Sequence, residues 1–187
     1  MKSMVEIAHA FLEPCLHRQA VCVDATFGNG KDTAFFVECG ARLVYAFDIQ
    51  KELIEKRRGD FDERVVELIV DSHAHLDRYV DKPVDAIVFN FGFCPHGDET
   101  ITTMPKESVE AVRKAIGRLR KKGRMALVLY PHLFGEQESD ALERVLRRID
   151  PHVATIQRVE SVNTKAGPFV LLVEKKAGET GRESETI

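Results

Sequence analysis

Hydrophobic and polar positions follow two periods along the chain, which predicts short buried strands separated by amphipathic helices. Apolar residues first recur at three- and four-residue spacing between Met4 and Leu16, so we expect a leading helix within residues 1–18 that packs on a sheet edge. Strands and helices then alternate, and the predicted ranges are strand 21–25, helix 31–39, strand 43–48, helix 50–59, strand 65–70, helix 72–80, strand 84–90, helix 106–121, strand 123–130 and helix 136–149. This alternation is typical of a doubly wound parallel sheet.

The end of the pattern differs from the rest. Two strand-like runs, 152–162 and 169–174, are joined by residues 163–168, a connection too short for a parallel crossover. They are therefore predicted to form an antiparallel hairpin. We expect one domain over residues 1–176, an α/β, Rossmann-like sheet of seven strands that is mostly parallel with an antiparallel last strand. The polar residues 177–187 are predicted to be a disordered tail.

Composition narrows the class of protein. A chain of 187 residues with 44% hydrophobic and 30% charged residues can bury one sizeable core. No apolar run is long enough to span a bilayer, so we expect a cytoplasmic protein that binds no membrane. The cysteines lack the paired spacing of metal ligands, which predicts reduced thiols and no metal. The net charge of -3 argues against indiscriminate nucleic-acid binding but leaves a local basic face open.

The segment 21–33, VCVDATFGNGKDT, has the pattern of a buried strand, a glycine turn and the start of a helix. Such a turn presents free N–H groups at a positive helix end, which suits dinucleotide phosphates and also the carboxylate of S-adenosylmethionine. Both nucleotide motifs are incomplete, because Thr33 replaces the third glycine of one and Asp32 follows Lys31 in the other. Asp24, just before the turn, could accept a hydrogen bond from a cofactor ammonium and would repel phosphate.

Polar residues also follow the next predicted strands, and ligands of doubly wound sheets bind beyond the carboxyl ends of the strands. Asp48 lies about twenty residues past the turn, where a ribose-binding carboxylate is expected; the alternative is that it caps the helix that opens at Gln50. Asp71 and Ser72 likewise either cap the following helix or contact the cofactor. His75 has no such pattern and is expected at the surface.

The segments DATFGNGKDT, YAFDIQ, DSH and FNFGFCPHGD together resemble the YtqB/MnmM-like family, also labelled rRNA methylases, of class I methyltransferases that depend on S-adenosylmethionine (SAM). The resemblance covers residues 21–175 and implies SAM as the cofactor and a homodimer. It includes a similar Ser-His pair at Ser72 and His73. We expect the cofactor to be bound by Asp24, Thr26, Gly28, Asn29, Gly30, Asp32, Thr33, Asp48, Gln50, Asp71, Ser72, His73 and Asn90.

The segment 90–98, NFGFCPHGD, is the candidate for the acceptor side, because amine methyltransferases often carry an Asn/Asp-Pro-Pro-aromatic loop here. The alternative is a Gly/Pro loop that merely closes the crossover. Asn90 is predicted to accept a hydrogen bond from a substrate amine, and Asp98 to hold the loop or take a proton. The segment departs from the family's usual pattern at Phe93, Cys94, His96 and Glu99. The expected substrate contacts are Phe91, Gly92, Phe93, His96, Tyr130, His132 and Lys165.

For the substrate, the resemblance implies a tRNA-modifying enzyme that methylates the aminomethyl group of the wobble uridine, with the anticodon region of tRNA as partner. The older family label implies rRNA instead. A run of basic residues between Arg113 and Arg124 looks like an RNA face, or it stabilises the carboxyl end of a helix. Three other classes of protein stay open: a small-molecule amine methyltransferase, a cofactor-fold partner subunit and a nicotinamide oxidoreductase.

Overall fold

The computed structural model describes residues 1–91, 105–130, 135–164 and 167–176. Within those ranges the strands are β1 (Val21–Asp24), β2 (Leu43–Asp48), β3 (Val66–Val70), β4 (Val84–Phe91), β5 (Leu119–Leu129), β6 (Ala154–Glu160) and β7 (Phe169–Lys175). The α-helices are α1 (Met4–Leu12), α2 (Lys31–Glu38), α3 (Lys51–Arg57), α4 (Pro105–Arg118) and α5 (Gly135–Leu146). Three short 3-10 helices span Glu13–Cys15, Arg58–Asp60 and His73–Arg78. The tail predicted over residues 177–187 lies outside the described residues.

The strands form one sheet in the order β3-β2-β1-β4-β5-β7-β6. Strands β1 to β5 are parallel, and β7 pairs antiparallel with both β5 and β6. Because β1 pairs with β2 on one side and β4 on the other, the strand order reverses at β1, and a doubly wound sheet binds its ligand at such a point. The predicted fold class, with its antiparallel last strand, is confirmed.

Helices cover both faces of the sheet, which is why all residues of β1 are buried and its sequence is continuously apolar up to Asp24. One face packs against α1, α2 and α3, through side chains such as Leu12, Phe36 and Ile54. The other face packs against α4, α5 and the 3-10 helix His73–Arg78. The carboxyl ends of the parallel strands therefore meet at one edge between two helical layers.

Helix α1 lies elsewhere than predicted. It packs across β4, β5 and β7, in the middle of one face, and not on a sheet edge. Helices α2 and α3 already cover β1, β2 and β3 on this face, so the neighbouring strands are covered by α1. The helix is also shorter than the expected 1–18, because Pro14 starts a 3-10 turn at its end. Ser3 and Glu6 form a capping box that fixes its start.

The predicted helix 72–80 is a 3-10 helix, His73–Arg78, with a non-helical residue at His75. Its first N–H groups are held by side chains, since Ser72 N donates to Asp71 and Ala74 N to the Ser72 hydroxyl. These bonds within the turn compete with a regular α-helical start.

Strand β5 begins before the predicted residue 123. Leu119 pairs with Val84 and Arg124 with Ala86, so the residues between them form a bulge at the start of the strand. A Cβ at Gly123 would lie 2.9 Å from the carbonyl oxygen of Arg120, a contact too close for any other residue. The regular part of the strand therefore starts close to the predicted position.

Candidate active site

The turn between β1 and α2 is held by backbone hydrogen bonds to the neighbouring strand and within itself. Phe27 N donates to the carbonyl of Phe47 at 2.8 Å, and Gly30 N to the carbonyl of Phe27 at 2.7 Å. Gly28 and Gly30 have φ of 49° and 72°, and a Cβ at Gly30 would approach the Phe27 ring to 3.0 Å. Gly30 also begins α2 without a side-chain cap. The first N–H groups of α2 can therefore serve a ligand above the turn.

Asp48, at the end of β2, connects this turn to the next helix. Its carboxylate accepts from Gly28 N at 2.8 Å and from Gln50 N at 2.9 Å. The structure thus brings Asp48 and the glycine turn into direct contact, although they are distant in sequence. The bond from Gln50 N closes a turn before α3, which begins without a side-chain cap, and the contact with a ribose stays a prediction.

Asp24 is completely buried and already hydrogen-bonded. It accepts from the Thr33 hydroxyl at 2.6 Å and from Thr26 N at 3.2 Å. Burial, together with the nearby carboxylates of Asp32 and Asp48, raises the pKa of Asp24 to about 7. Three carboxylates close to one turn disfavour a pyrophosphate and suit a cationic ligand.

At the end of β3, Asp71 accepts from Ser72 N, from Nδ1 of His75 at 2.8 Å and from the Tyr79 hydroxyl at 2.9 Å. Burial raises the pKa of Asp71, but these hydrogen bonds outweigh it and the pKa is lower than usual. His75, expected at the surface, is only partly exposed and is held by this carboxylate. The Asp71 side chain therefore orders its own loop.

His73 lies in the core next to the turn. Its Nδ1 donates to the carbonyl of Ala25 at 2.9 Å, and its ring meets Phe89 and Phe91 edge-on. Burial lowers the pKa of His73, so the ring is neutral and Nε2 is an acceptor. Within the described part of the chain, Nε2 is buried without a hydrogen-bond partner.

Asn90, near the end of β4, is held by two separate contacts. Its backbone N donates to the Thr26 hydroxyl at 2.7 Å, and its side-chain Nδ2 lies 3.5 Å from Oδ2 of Asp32. Phe91 is only 2% exposed and stacks on Phe89 at 5.2 Å. Its side chain therefore supports β4 from within the core, and its contact with a substrate stays a prediction.

Asp32 also contacts His9, a neighbour that sequence reasoning missed. Nε2 of His9, on α1, donates to Oδ1 of Asp32 at 2.6 Å, and the His9 ring stacks on Phe35 with centroids 3.9 Å apart. The available signal was that His9 lies four residues after Val5 and three before Leu12, on the apolar side of α1. A histidine there either packs or has a polar partner.

Tyr130 follows β5 and is half buried. Burial raises the pKa of its hydroxyl, and the charge of Asp32 raises it further. Asp32 therefore lies at the meeting point of α1, α2, β4 and the end of β5. Several expected site residues fall outside the described ranges, namely Gly92, Phe93, His96, Asp98, His132 and Lys165.

Known proteins share this fold. The sequence profile of the family described as "Putative rRNA methylase" matches residues 44–175. The chain belongs to that family. The structure of an rRNA methylase from Streptococcus thermophilus is 32% identical, with a TM-score of 0.80, and the match covers 95% of this chain and 99% of that one. SMU.1697c from Streptococcus mutans, in complex with SAH, is 32% identical with a TM-score of 0.86 over 94% and 99% of the two chains.

A curated relative is the chloroplastic tRNA (mnm(5)s(2)U34)-methyltransferase of Arabidopsis thaliana. It is 31% identical over an alignment of 160 residues, and the match covers 76% of this chain and 58% of the relative. This chain thus spans little more than half of that protein's length. The resemblance seen in the sequence is confirmed: the chain is a SAM-dependent methyltransferase with SAM as its cofactor.

The groups around the turn between β1 and α2 of this rRNA methylase family member are chemically suited to binding SAM. The free N–H groups at the start of α2 suit a carboxylate, and Asp48 offers oxygens to hydroxyl groups. The unpartnered Nε2 of His73 is a buried polar atom beside the same turn. The carboxylates of Asp24 and Asp32 suit the positive charges of SAM.

Three members of the basic run of this methyltransferase form ion pairs with acidic side chains, which favours a structural role for them over contact with RNA. Lys114 binds Asp77 and Glu110, and Arg120 lies 3.0 Å from Asp85. Arg124 pairs with Glu174 at 2.9 Å. In addition, the run ends at the amino end of β5, away from the edge where the strand ends meet.

Within the described residues, no three His, Cys, Asp or Glu side chains are grouped so that they could hold a metal ion. No helix in the same ranges is long and apolar enough to cross a membrane.

Proposed function

We propose that this enzyme methylates the nitrogen of an aminomethyl group on the wobble uridine of tRNA, giving a methylaminomethyluridine. The proposal rests on the position of Asn90: it lies near the end of β4, and its side-chain nitrogen faces Asp32 on α2. The name of the curated relative, a tRNA (mnm(5)s(2)U34)-methyltransferase, supports this choice of acceptor.

The cofactor residues that we propose surround the turn between β1 and α2. Asp48 would bind the ribose hydroxyls, and the N–H groups at the start of α2 the carboxylate of the methionine part. Asp24 and Asp32 would balance the ammonium and sulfonium charges. When bound, SAM supplies a methyl group on a cationic sulfur. Gly28, Asn29 and Gly30 form the floor, while Thr26, Thr33, Gln50, Asp71, Ser72 and His73 complete the set.

Asn90 would orient the acceptor. A carboxylate only accepts hydrogen bonds, so the Asn90 NH₂ group faces Asp32. Its Oδ1 accepts no hydrogen bond within the described residues and could accept one from a substrate N–H. An amine that donates a hydrogen bond to Oδ1 keeps its lone pair directed away from the amide. Alignment of this lone pair with the methyl group is the main requirement of an in-line displacement. The amine must be neutral to attack, and the new secondary ammonium then releases a proton. Asp98 is our candidate for the proton acceptor, with His96 and His132 as alternatives.

The shape of the site favours a large acceptor. All of the described α-helices pack on one face of the sheet or the other, and none of them covers the carboxyl ends of the strands. Lys31 and Lys51 are exposed at the starts of α2 and α3, where they could contact phosphates. Strand ends that no described helix covers, with flanking cations, suit an extruded nucleotide of an RNA.

Mass spectrometry of nucleosides tests the proposal directly. We expect tRNA from cells without the gene to accumulate aminomethyluridine or its 2-thio form, and the purified enzyme with SAM to convert that tRNA. An unchanged wobble uridine would contradict the proposal. Loss of a methyl group from rRNA in the same cells would instead support an rRNA substrate, as the family description suggests. Conversion of free amines but not of RNA would indicate a small-molecule enzyme.

Substitution of Asn90 by alanine tests the catalytic role. We expect kcat to fall about 100- to 1,000-fold, because a positioned hydrogen bond at the reacting centre is lost. The Kd for SAM should change less than about threefold, since other groups bind the cofactor. Gln157→Ala, which removes an exposed amide on β6, is the control and should leave kcat unchanged. A full kcat in the Asn90 variant would show that the amine is oriented by another group.

A further inference from the structure

Helix α1 brings one polar side chain, His9, to the region of the proposed acceptor site. Its Nε2 is 2.6 Å from Oδ1 of Asp32, and its ring is parallel to that of Phe35 within 3°. The His9 side chain is 23% exposed and that of Asp32 is 7% exposed, so the bond is largely shielded from water. Asp32 and Phe35 are three residues apart and share one face of α2. Two different contacts therefore fix the ring.

The second oxygen of Asp32 faces Asn90. Oδ1 accepts from His9, and Oδ2 lies 3.5 Å from Nδ2 of Asn90, so each carboxylate oxygen has its own partner. The orientation of the carboxylate thus depends on the histidine. The orientation of the Asn90 amide depends in turn on the carboxylate, because only its NH₂ group can face an acceptor.

The backbone of Asn90 is fixed independently. Its N–H donates to the Thr26 hydroxyl at 2.7 Å. The amide group at the end of the side chain is the part still free to rotate, and a rotation by half a turn would exchange oxygen and nitrogen at nearly the same position. Asp32 is the described contact that distinguishes the two orientations.

Electrostatics also favours a donor at this position. Asp32 lies near the buried carboxyl of Asp24 and raises its pKa, which shows that the two groups repel each other when both are ionised. A hydrogen bond from His9 stabilises the charge of Asp32 from the side opposite Asn90. This donor comes from α1, outside the strand ends that form the rest of the site.

We propose that His9 is a positioning residue for methyl transfer: it holds the Asp32 carboxylate so that the Asn90 oxygen points toward the substrate amine. Helix α1 is then part of the catalytic apparatus and not only a cover for the sheet. The inference deepens the proposed function and rests on it for the identity of the amine.

Two substitutions separate the hydrogen bond of His9 from its packing. His9→Phe keeps an aromatic ring on Phe35 but removes the donor to Asp32, and His9→Gln keeps a donor without the ring. His17→Phe is the matched control, because His17 faces Asp85 at 3.5 Å at the opposite edge of the sheet. We would measure kcat, the KM for tRNA, the Kd for SAM by calorimetry, and Tm.

We expect His9→Phe to lower kcat about 10- to 100-fold, as small displacements of a positioning group do. The Kd for SAM should change by less than about threefold, and His9→Gln should recover most of the loss. His17→Phe should leave kcat unchanged. The inference is overturned if His9→Phe has normal kcat, or if its SAM affinity falls as much as its kcat, because His9 would then act on the cofactor.

A second measurement needs no substrate. The side-chain NH₂ signals of Asn90 in an ¹⁵N spectrum can be assigned by their loss in Asn90→Ser. We expect these signals to shift in His9→Phe and to stay in place in His17→Phe. If they do not move in His9→Phe, the positioning role is wrong whatever the acceptor is. If they move while the enzyme leaves tRNA unmethylated, the positioning of Asn90 stands and only the proposed acceptor fails.

Discussion

Individual carboxylates accept the hydrogen bonds that hold the glycine turn. Asp24 holds Thr33 and Thr26, Asp48 holds Gly28, and both are engaged with the protein itself. Their bonds fix the turn in the shape that leaves the start of α2 uncapped. A residue of this kind has two roles, since a loss of the carboxylate would disturb both the turn and the ligand.

The role of Asp48 in cofactor binding can be measured. We expect Asp48→Asn to weaken SAM binding about 10- to 100-fold, because one charged acceptor is lost from a hydrogen-bonded site. Isothermal titration with SAM provides the Kd. Asp81→Asn, at an exposed carboxylate before β4, should bind SAM normally. Equal affinities for the wild type and Asp48→Asn would exclude the ribose contact.

At the residue scale, sequence reasoning predicted candidate site residues more readily than the contacts between them. Asp24, Asp48 and Asn90 were predicted because strand ends are recognisable from the apolar runs before them. The bond from His9 to Asp32 was not found, because it joins two helices that are distant in sequence. Likewise, nothing in the residues around Phe91 indicates that its ring meets the ring of His73 edge-on in the core.

Among the elements, α4 and α5 are connected by a buried polar pair. The Ser108 hydroxyl donates to the Glu138 carboxylate between the two helices. Burial raises the pKa of Glu138 to about 7, although the hydrogen bond from Ser108 lowers it in part. The folded protein therefore binds a proton at Glu138 more tightly than the unfolded chain does.

This pair predicts a pH dependence of stability. The contribution of Glu138 is fully present below its unfolded pKa of 4.5 and is lost as the pH rises through about 7. Between pH 5 and 8 the free energy of unfolding should fall by up to about 3 kcal/mol through this group. Denaturant titrations at several pH values measure it.

Glu138→Gln, which keeps an acceptor for Ser108, should flatten this dependence. Asp140→Asn, on the exposed side of the same helix, is the control and should retain the slope of the wild type. The same slope in Glu138→Gln would mean that Glu138 is ionised in the folded protein throughout this range.

The placement of elements followed from the sequence where it depends on local chain length. The connection 163–168 is too short for a crossover, and β6 and β7 are indeed antiparallel. The position of α1 did not follow, because an amphipathic helix shows that one side is buried but not which strands bury it.

On the scale of the whole molecule, exposed lysines lie near both ends of the parallel strands. Lys31 and Lys51 lie near the carboxyl ends of the strands, whereas Lys82 and Lys121 lie near the amino ends. The proposed tRNA contact belongs to the carboxyl ends of the strands. Affinity for RNA depends on phosphate contacts and hence on salt.

Charge reversal at each end of the strands tests this placement. Lys31→Glu combined with Lys51→Glu should raise the Kd for tRNA at least about tenfold and reduce its salt dependence by the equivalent of one or two phosphate contacts. Lys82→Glu combined with Lys121→Glu has the same change in net charge and should alter the Kd less than about twofold. Fluorescence anisotropy over a series of salt concentrations measures both. Equal effects of the two pairs would indicate that only the net charge matters.

The sequence by itself determined which segments are buried, where strands end, and that the last connection is a hairpin. Those properties depend on residues that are neighbours along the chain, and periodicity and turn chemistry reveal them. They were enough to predict the fold and the glycine turn beside Asp24 and Asp48.

Only the tertiary structure decided which side chains meet. It paired Lys114 and Arg124 with acidic partners, placed α1 on the middle of one face and brought His9 to Asp32. Such contacts join residues far apart in the chain, and a charge or a ring has many equally suitable partners until the packing of helices on the sheet selects one.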